Sequence, residues 1–408
     1  MSVLPFILAS ALTWTPTGLP DGKPEAPLLC QGAFLTPEQG KAVLTQASLR
    51  FPDHDSWNAY ADHLRSRIQA GAGLQPWPRR TPLNPIVREK RVHAGYTVEN
   101  VAFESIPGYF VCGNLYRPEK TSGPAPVVLS FHGHGGPVVT EDDYAKQGRF
   151  TPWMQARCAA LARMGAVVLS VEMVAYGESI AQVGQDSHKL PFSVTLQTWN
   201  GVRALDFLLS LPGVDKTRVG VSGESGGGTQ TMLLTALDPR VTASAPVVMM
   251  SSYFFGGCAC ESGLPIHRGP DHFANNAMIA ALAAPRPLLV VSDGKDWTQH
   301  NPDIEFPFLR RIYGYYGVPQ RVSNVHLPAE GHDYGPSKRQ AVYRFLSDAL
   351  GLDRTRWLTP AGELDESALT TETYRVMRVF DETHPLPPQA VRTIPALQSV
   401  IQGLQKKG

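Results

Sequence analysis

From Gly95 onward the chain alternates short, unbroken apolar runs with longer stretches of helical periodicity, and few folds accommodate that rhythm. The runs occupy residues 126–131, 166–171, 219–222, 245–250, 287–291 and 321–327. Helical patterns fall at 142–164, 193–211, 226–237, 275–283, 304–316 and 337–350. A strand that is apolar on both sides must be covered on both sides, which is the condition of a mostly parallel sheet between two helical layers. The 193–211 pattern gathers Val194, Trp199, Val202, Leu205 and Leu209 toward one side, as a core-facing helix requires. Just ahead of the first run, 96–105 and 109–116 read as an antiparallel pair turning at Pro107-Gly108.

Three parts are expected. Residues 1–94 form a proline-rich N-terminal extension, with one helical stretch at 52–70 carried by Trp57, Tyr60, Leu64 and Ile68. After it, Gln75-Pro76-Trp77-Pro78 and Pro82-Leu83-Asn84-Pro85 read as extended coil. Residues 95–352 form the main α/β domain. Residues 353–408 form a C-terminal extension interrupted by Pro385-Leu386-Pro387-Pro388.

A chain of 408 residues with 43% hydrophobic and 18% charged residues has ordinary globular composition and can bury a sizeable core. Its net charge of +1 gives no electrostatic reason to expect a nucleic-acid partner, and no apolar run reaches the length of a membrane span. Residues 3–14 are apolar and contain Ala9-Ser10-Ala11, a small-residue pattern of the signal-peptidase kind, although no basic segment precedes it. This leans toward a secreted or periplasmic protein over a cytoplasmic one. The five cysteines are odd in number and scattered, so no disulfide framework is expected. Cys258 and Cys260 flank a single residue, too close for an easy disulfide and without a second pair to complete a zinc site. They read as loop-lining thiols.

The chemistry-bearing signal is Gly223-Glu224-Ser225-Gly226-Gly227. It lies between an apolar strand and a helical stretch, the setting of a nucleophile elbow that lifts a serine out of a tight strand-to-helix turn. A serine needs a base, and the base needs an orienting acid. Downstream, the run at 287–291 leads into Ser292-Asp293-Gly294-Lys295-Asp296, and Asp296 is the chosen acid with Asp293 as the fallback. The run at 321–327 leads into Glu330-Gly331-His332, and His332 is the chosen base among twelve histidines. The N–H of Gly226 and that of His134, in Phe131-His132-Gly133-His134-Gly135-Gly136, are the expected oxyanion donors. Trp297, Tyr334 and Glu261 are candidates for contact with the substrate. No Walker A, dinucleotide fingerprint or H-E-x-x-H is present, so neither metal nor organic cofactor is expected.

With these residues placed, the chain resembles serine esterases of the α/β-hydrolase fold, in the acetylxylan esterase and dienelactone hydrolase-like group. The resemblance rests on the His-Gly loop at 131–136, on Gln197-Thr198-Trp199-Asn200 leading to Arg203-Ala204-Leu205-Asp206, and on residues 223–229. It continues through Ala284-Pro285-Arg286-Pro287, Asp296-Trp297-Thr298 and Glu330-Gly331-His332-Asp333-Tyr334. It implies hydrolysis of small acyl esters on carbohydrate through an acyl-enzyme. Two other readings stay open: a prolyl-oligopeptidase-like serine peptidase, for which the N-terminal segment is too short to hold a propeller, and a non-catalytic binding member of the fold.

Overall fold

The computed structural model describes residues 12–20 and 28–406. The export-like pattern at residues 3–14 lies almost wholly outside them. Helices α1 (Pro37–Arg50) and α2 (His54–Gly71) precede strand β1 (Ile86–His93). The Asp53 carboxylate accepts the Ser56 N–H at 2.9 Å and so starts α2, whose Trp57, Tyr60, Leu64 and Ile68 are all buried. Then come β2 (Tyr96–Ile106), β3 (Tyr109–Pro118), β4 (Ala125–Phe131), α3 (Pro152–Arg163), β5 (Val167–Val171), α4 (Phe192–Ser210), β6 (Val214–Glu224) and α5 (Gly226–Leu237). They are followed by β7 (Ala243–Val247), β8 (Leu288–Asp293), α6 (Glu305–Tyr315), β9 (Val322–Leu327), α7 (Pro336–Leu350) and α8 (Ile394–Lys406).

The nine strands form one sheet in the order β1-β2-β3-β5-β4-β6-β7-β8-β9. The pairs from β5 through β4, β6, β7 and β8 to β9 are parallel, and the pairs joining β1, β2, β3 and β5 are antiparallel. This is the α/β-hydrolase fold. Period-two alternation along the strands divides most of the interior into two large cores, beside a small third cluster of Ala102, Phe110, Cys112 and Val379. Val127, Leu129, Val219, Val221, Leu288 and Val290 face one core, with residues of α1, α2, α4 and α5. Val128, Val168, Leu289 and Val291 face the other, with Met154 and Cys158 of α3 and Val342 and Leu346 of α7.

Two expectations change. Residues 86–93, to which the sequence pattern assigns no element, form β1, so the sheet begins before residue 95; the strand carries Arg88, Glu89, Lys90 and Arg91 and is irregular between Arg88 and Arg91, which hides the alternation. The stretch at 142–164 is not one helix. It holds two 3-10 turns before α3, which starts at Pro152, where a proline is tolerated. The C-terminal segment runs back over the antiparallel end of the sheet. Glu372 pairs with Arg91 at 2.8 Å, Asn114 donates to the Met377 carbonyl at 3.0 Å, and Leu397 and Ile401 of α8 are buried in the first core.

Candidate active site

The ends of β4, β6, β8 and β9 all lie at the C-terminal edge of the parallel strands, and each delivers one part of the site. After β6 the chain turns at Ser225 with φ 53° and ψ −122° and enters α5. That backbone costs a non-glycine residue about 1–3 kcal/mol. It is held by the Ser225 N–H donating to the Val247 carbonyl at 3.0 Å and the Thr229 N–H donating to the Ser225 carbonyl at 3.0 Å. Its glycines are sterically required. A Cβ on Gly223 would lie 2.5 Å from the Gly227 oxygen, and one on Gly227 would lie 2.7 Å from the His132 oxygen.

The loop after β4 is packed down on this turn. A Cβ added to Gly133 would stand 3.2 Å from the Ser225 Cβ, and one on Gly226 would stand 2.6 Å from His134 Cε1. The structure therefore brings Gly226, the first residue of α5, together with the His134 loop. The N–H groups of a helix's first turn have no partner inside the helix, so that of Gly226 is available to a developing anion. His132 pins the loop from behind: its Nδ1 donates to the Gly133 carbonyl at 2.7 Å, and its Nε2 accepts the Met173 N–H at 2.9 Å. Burial drives its pKa down to about 3, so it stays neutral. The His134 side chain itself is exposed.

His332, on the loop after β9, places Nδ1 2.6 Å from Oδ2 of Asp296, on the loop after β8. The other Asp296 oxygen accepts from the Thr298 N–H and hydroxyl, both at 2.6 Å. The two loops cross closely, because a Cβ on Gly294 would collide with the Pro328 carbonyl. Asp293 does not reach the histidine. Its carboxylate accepts from the Lys295 N–H at 3.0 Å and lies 3.5 Å from Lys338 Nζ. Of the two candidate acids, Asp296 is the one within hydrogen-bond distance of His332.

The substrate candidates divide. Trp297 stays half-exposed, stacked on Phe254 at 4.0 Å with His332 4.5 Å away. Tyr334 is not a wall of the site. Its ring is buried under Arg157, whose Cζ stands 4.2 Å from the centroid, and its hydroxyl is 2.8 Å from Ser222 Oγ. Glu261 is also enclosed: its oxygens accept from the Gly257 N–H at 2.6 Å and the Thr229 hydroxyl at 3.4 Å, and burial raises its pKa. Arg157, which no motif marks, links the parts from beneath. It is fully buried and donates to Glu224 at 2.8 Å and to the Phe131 carbonyl at 2.7 Å. Glu172 anchors the loop after β5 by accepting from Arg149 at 2.8 Å and from the Glu178 and Ser179 N–H groups.

Cys258 and Cys260, expected as separate thiols, are joined by a disulfide. The extended backbone of Cys258 sets the two Cα atoms 5.3 Å apart, within the ordinary span of a disulfide. His134 and His188 lie against its sulfurs.

The acetyl xylan esterase (AXE1) family matches residues 81–255. Methylesterase BT1017 superposes with a TM-score of 0.80 and 39% identity over 91% of this chain and 82% of its own. The chain belongs to this esterase family. The esterase also shares its fold with an acetyl xylan esterase (BF1801) from Bacteroides fragilis NCTC 9343, at 17% identity and TM-score 0.53 over 85% of this chain and 88% of that one. A glucuronoyl esterase from Solibacter usitatus gives 20% identity and 0.52 over 72% and 93%. YtaP of Bacillus subtilis (strain 168), which carries the name of a hydrolase, is 27% identical over 166 residues. That match covers 38% of this chain and about half of YtaP, 52%. The enzyme acts on carboxylic ester bonds.

Proposed function

We propose that this esterase is a serine hydrolase of carbohydrate esters, with Ser225 as nucleophile, His332 as general base and acid, and Asp296 as the group that orients the imidazole. The observation that carries the reading is the 2.6 Å contact between His332 and Asp296 at the sheet edge where Ser225 occupies a strained turn. His332 takes the Ser225 proton as the oxygen attacks the ester carbonyl. The N–H groups of Gly226 and His134 receive the oxyanion, and the imidazolium returns the proton to the departing alcohol. Water then repeats the sequence on the acyl-enzyme. Asp296, already accepting from Thr298, remains ionised and fixes the tautomer that presents Nε2 to the serine.

The ester is small on one side and borne by a sugar. Of the arrangements consistent with that, the methyl ester of a sugar acid has the support of the 39% identical methylesterase. Trp297, beside His332 and half-exposed, is the apolar surface on which a sugar ring stacks. The test is to incubate the enzyme with a methyl-esterified uronic-acid polymer and, separately, with acetylated xylan, measuring methanol and acetate. Methanol release well above acetate release is expected. Acetate from xylan with no methanol would move the substrate to acetyl esters, and neither product from a folded enzyme would refute the carbohydrate ester.

A further inference from the structure

Beside the elbow, four side chains outside the catalytic group converge from three loops. His134 follows β4, His188 precedes α4, and Cys258 and Cys260 follow β7. Their ligand-capable atoms all lie within 4.8 Å of one another. His134 Nε2 stands 3.1 Å from Cys260 Sγ and 3.3 Å from Cys258 Sγ, and His188 Nε2 stands 3.7 Å from Cys258 Sγ. A tetrahedral ion held at about 2.3 Å from sulfur and about 2.0–2.1 Å from nitrogen sets its sulfur and nitrogen ligands roughly 3.5 Å apart. The three measured edges bracket that value. The sulfur pair is shorter, because the two atoms are bonded to each other.

The disulfide leaves one feature without a role. His188 Nδ1 lies 2.7 Å from the Val174 carbonyl oxygen, which can only accept. Nδ1 therefore carries the proton, and Nε2 presents a lone pair. Disulfide sulfurs have no proton to give, so this buried lone pair faces no donor. An imidazole whose far nitrogen donates to a backbone carbonyl is how proteins aim a histidine at a metal. Tyr176 holds both rings in place, edge-on to His188 at 4.7 Å and to His134 at 6.2 Å.

We propose that Cys258, Cys260, His134 and His188 form a zinc-class metal site, and that the disulfide is its oxidised, metal-free form. This reverses the expectation that the cysteines lack partners: the histidines come from 124 and 70 residues away in sequence. Two thiolates and two imidazoles suit zinc among divalent ions. A dithiol supplies the two electrons and two protons that break the sulfur–sulfur bond, leaving two thiols and its own disulfide. On metal binding the two thiols lose their protons to solvent, and two metal–sulfur and two metal–nitrogen bonds form. The ion ties the loop that carries the His134 N–H to the loop after β7.

The full chain is reduced anaerobically with dithiothreitol, freed of reductant, and titrated with Co²⁺ as an optical probe and then with Zn²⁺. Thiol titration in denaturant should find five free thiols in the reduced protein against three in the untreated one. One equivalent of Co²⁺ should bind with thiolate-to-cobalt charge transfer and the strong visible bands of a tetrahedral ion, and Zn²⁺ should displace it. Untreated protein should bind none. Cys258→Ser and His188→Gln, checked for folding by circular dichroism, should each weaken Co²⁺ binding by about tenfold or more. Reduced, folded protein that binds no stoichiometric cobalt overturns the proposal. So does cobalt binding unchanged in Cys258→Ser, or a disulfide that no dithiol opens without unfolding the chain.

Discussion

Asp296 divides its two oxygens between two tasks, one holding His332 and the other held by Thr298. Asp296→Asn keeps the shape but favours the wrong imidazole tautomer, and kcat should fall on the order of 10³–10⁴-fold. Asp293→Asn, three residues away and turned toward Lys338, should leave kcat close to wild type in the folded variant. Steady-state kinetics on one ester substrate separates the two. Tyr334→Phe removes a buried hydroxyl contact with Ser222, so it should cost about 1 kcal/mol of stability in urea unfolding while leaving KM unchanged. A raised KM at full stability would put Tyr334 back against the substrate. At this scale the candidacy of Ser225, Asp296 and His332 rests on short motifs, each standing after an apolar run. The burial of Tyr334 and Glu261 was not legible, because Arg157 and Gly257, the partners that enclose them, are announced by no local pattern.

The elements were legible to the extent that burial was even along them. The central strands are apolar on both faces, and α2 keeps helical spacing, so their existence follows from pattern. The charged edge strand β1 shows no such pattern and is defined by its pairing with β2. Between elements, the buried Arg157–Glu224 pair joins α3 to the end of β6 under the elbow. Arg157→Met strands a buried carboxylate and should destabilise the fold by about 3–5 kcal/mol, read from urea midpoints. His267 adds a pH dependence. Burial, with His272 nearby, lowers its pKa from 6.5 to about 4 against the opposing bond to Ala274. The unfolded chain thus takes up this proton first, and the stability the residue contributes is complete above about pH 6.5 and lost as pH falls toward 4. The stability gap between wild type and His267→Gln should narrow by roughly 1.4 kcal/mol per pH unit across that window. A gap that stays constant with pH would contradict a neutral, buried His267.

The whole molecule is one sheet between two large cores, with a C-terminal segment strapped across its antiparallel end through Glu372, Met377 and α8. The path of that strap was not readable in advance, because its anchors are backbone carbonyls and single charged residues far apart in sequence. What the layered fold does for chemistry is to bring the loops after β4, β6, β8 and β9 to one edge of the sheet. No helix among the described residues is long and apolar enough to cross a membrane. The central claim is that Ser225 is the nucleophile of this esterase. The direct measurement is labelling of the wild-type enzyme with a serine-directed fluorophosphonate, with the adduct mapped by mass spectrometry and ester turnover followed in parallel for Ser225→Ala. A single adduct on Ser225, abolished together with turnover in the variant, is the predicted result. Ester turnover that persists in Ser225→Ala near the wild-type rate, or an adduct on another serine that tracks the loss of activity, would contradict it.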